Sequence, residues 1–99
     1  MIPKDPPYRS EKLRRHIASL PCMHCGKEGE TQCSHSNQSR DGRGMSYKSH
    51  DYRCAALCVS CHHEVDYGMA SREEKLSIWE DAHRKTIGEL FKRNLLTPV

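Results

Sequence analysis

Ninety-nine residues, 35% apolar with one Trp and one Phe, allow one small domain whose core is thin without a metal or a disulfide. The formal charge of +3 and an isoelectric point near 8.6 fall short of the strongly basic balance of a dedicated nucleic-acid module, so charge alone selects no partner. No run is apolar enough to span a membrane and MIPKDPPYRS lacks the apolar stretch of a signal peptide; the expected compartment is a reducing cytoplasm, where six cysteines read as metal ligands rather than disulfides.

Residues 1–9 are Pro-rich and expected to be extended. Ser10 is placed to cap a helix on which Leu13, Ile17 and Leu20 recur at helical spacing, and Pro21 ends it. Cys22-Met23-His24-Cys25-Gly26 follows, a CxxCG knuckle in which the Gly lets the backbone turn around a metal. Residues 30–35, ETQCSH, suit a short strand after the Glu28-Gly29 turn. Residues 36–50, SNQSRDGRGMSYKSH, are polar and Gly-containing and suit a loop or a loosely paired second strand. Tyr52 to Leu57 leads into a second knuckle at Cys58–Cys61, and a short helix is expected over about Ser60–Tyr67, ended by Gly68. Ser71-Arg72-Glu73-Glu74 has capping-box spacing and opens a long helix over about 72–94, with Leu76, Trp79, His83, Ile87, Leu90 and Phe91 on or near one face. There is no internal repeat and no sign of a second domain, so 1–99 reads as a single unit.

The two CxxC pairs, Cys22/Cys25 and Cys58/Cys61, carry the strongest chemical signal. A two-residue spacer lets both sulfurs of a knuckle reach one ion, and zinc favours tetrahedral thiolate ligation. The 32 residues between the pairs leave room for a folded insert. Cys33 and Cys54 lie outside this spacing and read as buried free thiols. CVSCH is also a haem-attachment pentapeptide, but covalent haem attachment needs export, and the upstream CxxC already accounts for both sulfurs.

His62 and Asp66 are one helical turn apart and can share a divalent ion, or His62 can simply cap or pack; His63 points about a quarter turn away. His35, at the end of the short strand, is a titratable side chain usable as a general base near neutral pH, or an ordinary surface histidine.

Taken together, CxxCG, then Ser34-His35 before a Gly-containing loop, then LCVSCHHEVD resembles the His-Asn-His (HNH) endonucleases. Within that family it is similar to the small phage and prophage-encoded nucleases that carry a four-cysteine zinc site. The resemblance covers about residues 21–67. It implies an α+β domain of the ββα-metal, treble-clef-like kind, stapled by a structural zinc and flanked by N- and C-terminal helices. It also implies DNA as partner and phosphodiester hydrolysis as activity. By position, His35 aligns with the family's general base, His62 with its helix-borne ligand for a catalytic divalent ion (Mg, Mn, Ni or Zn), and Asp66 with a second ligand. Ser34 stands where many members have Asp or His, and Arg53 falls near the motif's middle Asn; Asp51 and His50 close by are candidates to complete the ion's shell. Arg40, Arg43, Lys48, Arg53 and His63 are the expected phosphate contacts. A second reading stays open: a non-catalytic zinc module binding DNA or a protein, which needs the four cysteines but not His35, His62 or Asp66. The oligomeric state is open, a dimer included.

Overall fold

The computed structural model describes residues 6–38, 41 and 48–96. The first helix, α1 (Glu11–Ala18), starts at Ser10, whose Oγ accepts the Leu13 N–H at 3.1 Å, while Glu11 occupies the first turn. It stops two residues earlier than the apolar spacing suggests: the Leu20 N–H closes a tight turn onto the Ile17 carbonyl, and both side chains are still buried. Two strands follow, β1 (Thr31–His35) and β2 (Cys54–Cys58), antiparallel and in register from Thr31 opposite Cys58 to His35 opposite Cys54. The partner of β1 thus comes from the run leading into the second knuckle, not from 36–50; the described residues of that stretch carry no strand.

Strand β2 is buried along its whole length, because its two faces feed two apolar clusters. Ala55 and Leu57 point into one with Val65, Trp79 and Ala82; Cys54 and Ala56 point into the other with Ile17, Leu20 and Leu90. A two-stranded sheet leaves one edge of each strand unpaired, and a buried edge must find other partners. Here the Ala56 N–H donates to Thr86 Oγ1 at 2.9 Å, the Ala56 carbonyl accepts the Met23 N–H at 2.8 Å, and the Cys54 carbonyl accepts from His83 Nδ1 at 2.8 Å. Burial holds His83 below its ordinary pKa, which keeps the ring neutral for that contact.

Helix α2 (Val59–Tyr67) begins directly after β2, and α3 (Arg72–Lys92) opens at Ser71, whose Oγ accepts the Glu74 N–H at 3.1 Å. The Gly68 that ends α2 has an extended backbone, φ −70°, rather than a left-handed one. Its glycine is required by space: a Cβ there would lie 2.5 Å from the Glu64 carbonyl oxygen. On α3 the buried stripe is Trp79, Ala82, Thr86 and Leu90; Leu76 and Phe91, expected near it, are exposed. The helix ends at Lys92 instead of about 94, with Asn94 in the left-handed region at φ 57° and the Leu95 N–H closing onto the Leu90 carbonyl at 2.9 Å. Trp79 Nε1–H donates to the Ser34 carbonyl at 3.0 Å and pins α3 across β1. No helix among the described residues is long and apolar enough to cross a membrane.

Candidate functional site

The four cysteines of the two CxxC pairs converge: their sulfurs all lie within 4.8 Å of one another, with Cys25 Sγ and Cys58 Sγ at 3.6 Å. Local backbone chemistry produces the first pair. The Cys22 N–H donates to the Lys27 carbonyl at 2.8 Å and the Gly26 N–H to the Cys22 carbonyl at 2.9 Å, a turn closed only because Gly26 adopts φ 84°. The second pair is delivered by the change from β2 to α2, with Cys58 as the last strand residue and Cys61 in the first turn of the helix. Burial opposes a charge on Cys22, but backbone N–H groups around its sulfur, those of Cys25 and His24 at 3.4 Å among them, outweigh burial and lower its pKa to about 6. Four sulfurs in this arrangement, one already disposed to ionise, can hold a metal ion. Cys33 and Cys54 stand apart from the cluster: Cys33 Sγ donates to the Arg14 carbonyl at 3.2 Å, and contact with Cys33 together with burial raises the Cys54 thiol.

On the outer face of the β1 terminus, His35 Nε2 lies 2.9 Å from Asp51 Oδ1. Asp51 is completely buried and is gripped from the N-terminal side: the Ser10 N–H donates to Oδ2 at 2.7 Å, Arg14 pairs with Oδ2, and Arg9 lies 3.4 Å from Oδ1. Arg9 also donates to the carbonyls of Ser49 and Lys48, and the Asp51 N–H donates to the Tyr8 carbonyl at 3.0 Å. Burial alone would push the Asp51 carboxyl up; the His35 ring, the Ser10 N–H and Arg14 together hold it below the ordinary carboxylate value. An ionised carboxylate only accepts, so the shared proton sits on His35 Nε2, and Nδ1 is the ring nitrogen left for other contacts. His35 Nδ1 has no hydrogen-bond partner among the described residues.

His35, Asn37, Lys48, His62, Asp66 and Tyr67 line one groove of about 450 Å³. His62 Nδ1 lies 2.9 Å from Gln32 Oε1 and Nε2 lies 3.3 Å from Asp66 Oδ2, so the ring bridges two oxygen acceptors. Asn37 Nδ2 donates to the other Asp66 oxygen at 3.1 Å. No third His, Cys or acidic ligand atom comes within 4.8 Å of this pair among the described residues. His35, Asp51 and Cys54 also gather their ligand atoms within 4.8 Å, but Asp51 is already occupied by two guanidinium groups and an amide, an environment that opposes a cation.

Several residues named from the sequence take other places. Asp51 lies beneath His35 rather than beside His62, and His50 accepts the Tyr8 N–H at 2.9 Å and stacks on Tyr52 at 4.8 Å. Arg53 pairs with Asp41 and Glu80 and lies 4.9 Å over the Trp79 ring, so its charge is committed within the fold. Ser34 is wholly buried, because strand alternation turns it inward when His35 faces the groove. Lys48 lines the groove and is exposed; His63 is exposed, with its ring 5.2 Å from Tyr67. Arg40 and Arg43 lie outside the described residues. The partners that spacing did not reveal are Gln32, Asn37 and Asp51 as the anchor of His35. Each is a lone polar residue in a strand or loop, without periodicity or motif to mark it.

The chain belongs to the family described as a protein of unknown function (DUF968), whose family model matches residues 1–92. No curated protein and no solved structure matches it.

Proposed function

We propose that the protein is a divalent-metal-dependent DNA endonuclease of the HNH type, a ββα-metal domain stapled by a structural zinc. One observation carries the reading: a histidine with a free Nδ1, anchored through Nε2 to a buried carboxylate, shares a groove with a His–Asp pair one helical turn apart. The order β1, β2, α2 supports it, with His35 at the end of the first strand and His62 on the helix. Zinc fits the four thiols, since ligands about 2.3 Å from a tetrahedral ion lie about 3.8 Å apart, close to the 3.6 Å between Cys25 and Cys58. Its ligation of Cys58 and Cys61 would fix the start of α2 and hence the direction of His62 and Asp66.

His62 Nε2 and Asp66 would hold the second ion, and the Asn37 amide, turned over, would offer an oxygen beside them. When bound, a divalent ion supplies charge stabilisation for the phosphate and the leaving oxygen. His35 Nδ1 takes the proton from the water that attacks phosphorus. Asp51 keeps the ring in the tautomer that can do so and stabilises the imidazolium that results. Lys48 holds a neighbouring phosphate. Six free cysteines suit a reducing cytoplasm, the host's where a phage supplies the gene.

A non-catalytic zinc module binding DNA or a protein is the competing reading. The short ligand set at His62 and Asp66, with Ser34 turned into the core, is the observation that favours it. Plasmid nicking with added divalent ions separates the two. The wild type should nick, and His35→Ala should lose roughly two to four orders of magnitude in rate while keeping its zinc. Absent or undiminished nicking would leave the binding module as the better account.

A further inference from the structure

The His35 groove does not end at Asp66. Asn37 and Asp66 also line a second, larger open groove of about 810 Å³, which runs along the start of α3 past Val65, Arg72, Lys75 and Leu76. Arg72 and Lys75 form no ion pair with any described residue, and neither does Lys48 at the other end. Between the cations the lining is mixed: Asn37, Gln38 and Asp66 are polar, while Leu76 is 40% exposed beside Arg72 and Lys75 and Tyr67 stands 75% exposed on the margin of the first groove.

We propose that the two grooves form one track for an unpaired DNA strand, which leaves the cleavage centre past Asn37 and Asp66 and lays its phosphates on Arg72 and Lys75. The inference rests on the nuclease reading and names the form of its substrate. Spaced positive charges match a phosphate backbone, while an exposed leucine and a projecting tyrosine ring are useful to bases only when their faces are free. A duplex keeps its bases stacked and meets such a surface with phosphate and sugar alone. The substrate is therefore DNA with a single-stranded segment, such as a flap, gap or branch, adjoining the bond that is cut.

The test uses the zinc-loaded full chain carrying His35→Ala, so that DNA is bound and not consumed. Fluorescence anisotropy is read with a labelled oligothymidine and with a duplex of equal length over a salt series. The single strand should bind about tenfold tighter than the duplex, and adding Arg72→Ala and Lys75→Ala should reduce its salt slope by roughly 1.4, the share of two single-strand phosphate contacts. Arg72→Lys with Lys75→Arg should preserve both affinity and slope, which separates charge from side-chain shape; zinc content and helicity confirm that each variant is folded. An unchanged slope in the double alanine variant would overturn the track, and preferential duplex binding would overturn the unpaired substrate, with plasmid nicking by the wild type still standing. Failure of both the single strand and the duplex to bind at low salt would overturn the nuclease reading itself.

Discussion

Cys58 and Cys61 at the start of α2 belong to one centre, and His62 and Asp66, beginning one residue later, belong to another. The two centres are constructed in opposite ways. In the first, four residues of one kind arrive as two local turns, and each turn is specified by its own few residues: a CxxC spacer, a glycine at positive φ, a strand running straight into a helix. In the second, every functional atom is set by a residue distant in sequence. Asp51 and His35 are 16 positions apart, Gln32 and His62 are 30, and Asn37 and Asp66 are 29. A centre of the first kind should fail all at once when a ligand is lost, whereas the second should degrade by steps as its supports are removed.

The largest expected effect is therefore on the cysteine side. Cys58→Ser removes one of four thiolates and disturbs the junction between β2 and α2 at once. Metal binding supplies on the order of 10 kcal/mol of folding free energy in small zinc domains. Among the described residues two modest apolar clusters stand against its loss. The variant should lose its metal by elemental analysis and its helical signal by circular dichroism, as should the wild type with a strong chelator. A metal-free chain that remains folded would show that the cluster is not what holds β2 and α2 together.

The same contrast explains what could be read from the sequence. The cysteine ligands, the caps at Ser10 and Ser71 and the existence of three helices depend on interactions within a few residues, and these were legible. The pairing of β1 with 54–58 depends on what covers the free edge of β2, supplied by Met23, His83 and Thr86 from three separate places. Arg53 looked like a phosphate contact because its type and neighbours suggest one. Only the fold reveals that Asp41, Glu80 and the Trp79 ring already engage it. Asp51 was visible as an acid near the site, but its role depends on Arg9 and Arg14, which the N-terminal segment brings from 40 residues away or thereabouts.

Asp51→Asn tests whether the groove fails by steps. It leaves two guanidinium groups facing a neutral amide and should cost about 2 kcal/mol in stability, measured by urea unfolding of the metal-loaded protein. Because the folded carboxyl lies below its unfolded value, its stabilising contribution is complete above the unfolded pKa of about 4 and is lost as pH falls through the folded value. The stability gap between wild type and variant should accordingly narrow below about pH 4. The cysteine cluster is common to both proteins and cancels from the difference. On the proposed nuclease reading the variant should also cleave about tenfold to a hundredfold more slowly, with a shifted pH–rate profile, since the amide no longer fixes the His35 tautomer. A loss of stability with the rate and its pH profile unchanged would make Asp51 structural only.

Gln32 offers the smallest and most selective perturbation. It is the second residue of β1, outside the cysteine cluster, and its side chain meets the groove through the 2.9 Å contact with His62. With an ion held between Nε2 and Asp66, Nε2 would be unprotonated and the ring proton would sit on Nδ1, where Gln32 Oε1 accepts it and fixes the ring. In Gln32→Ala the ring is free to rotate and to change tautomer. Affinity for a divalent ion at the second site, followed by calorimetry with Mn²⁺ on zinc-loaded protein, should fall about tenfold, while thermal stability and zinc content stay as they were. Gln32→Glu retains an acceptor at the same place and should recover the affinity. His62→Ala should abolish the second site outright and likewise leave the zinc in place. If His62→Ala instead released the thiolate-bound metal, the two centres would not be separable along α2, and the division of that helix into a structural first turn and a functional second one would be wrong.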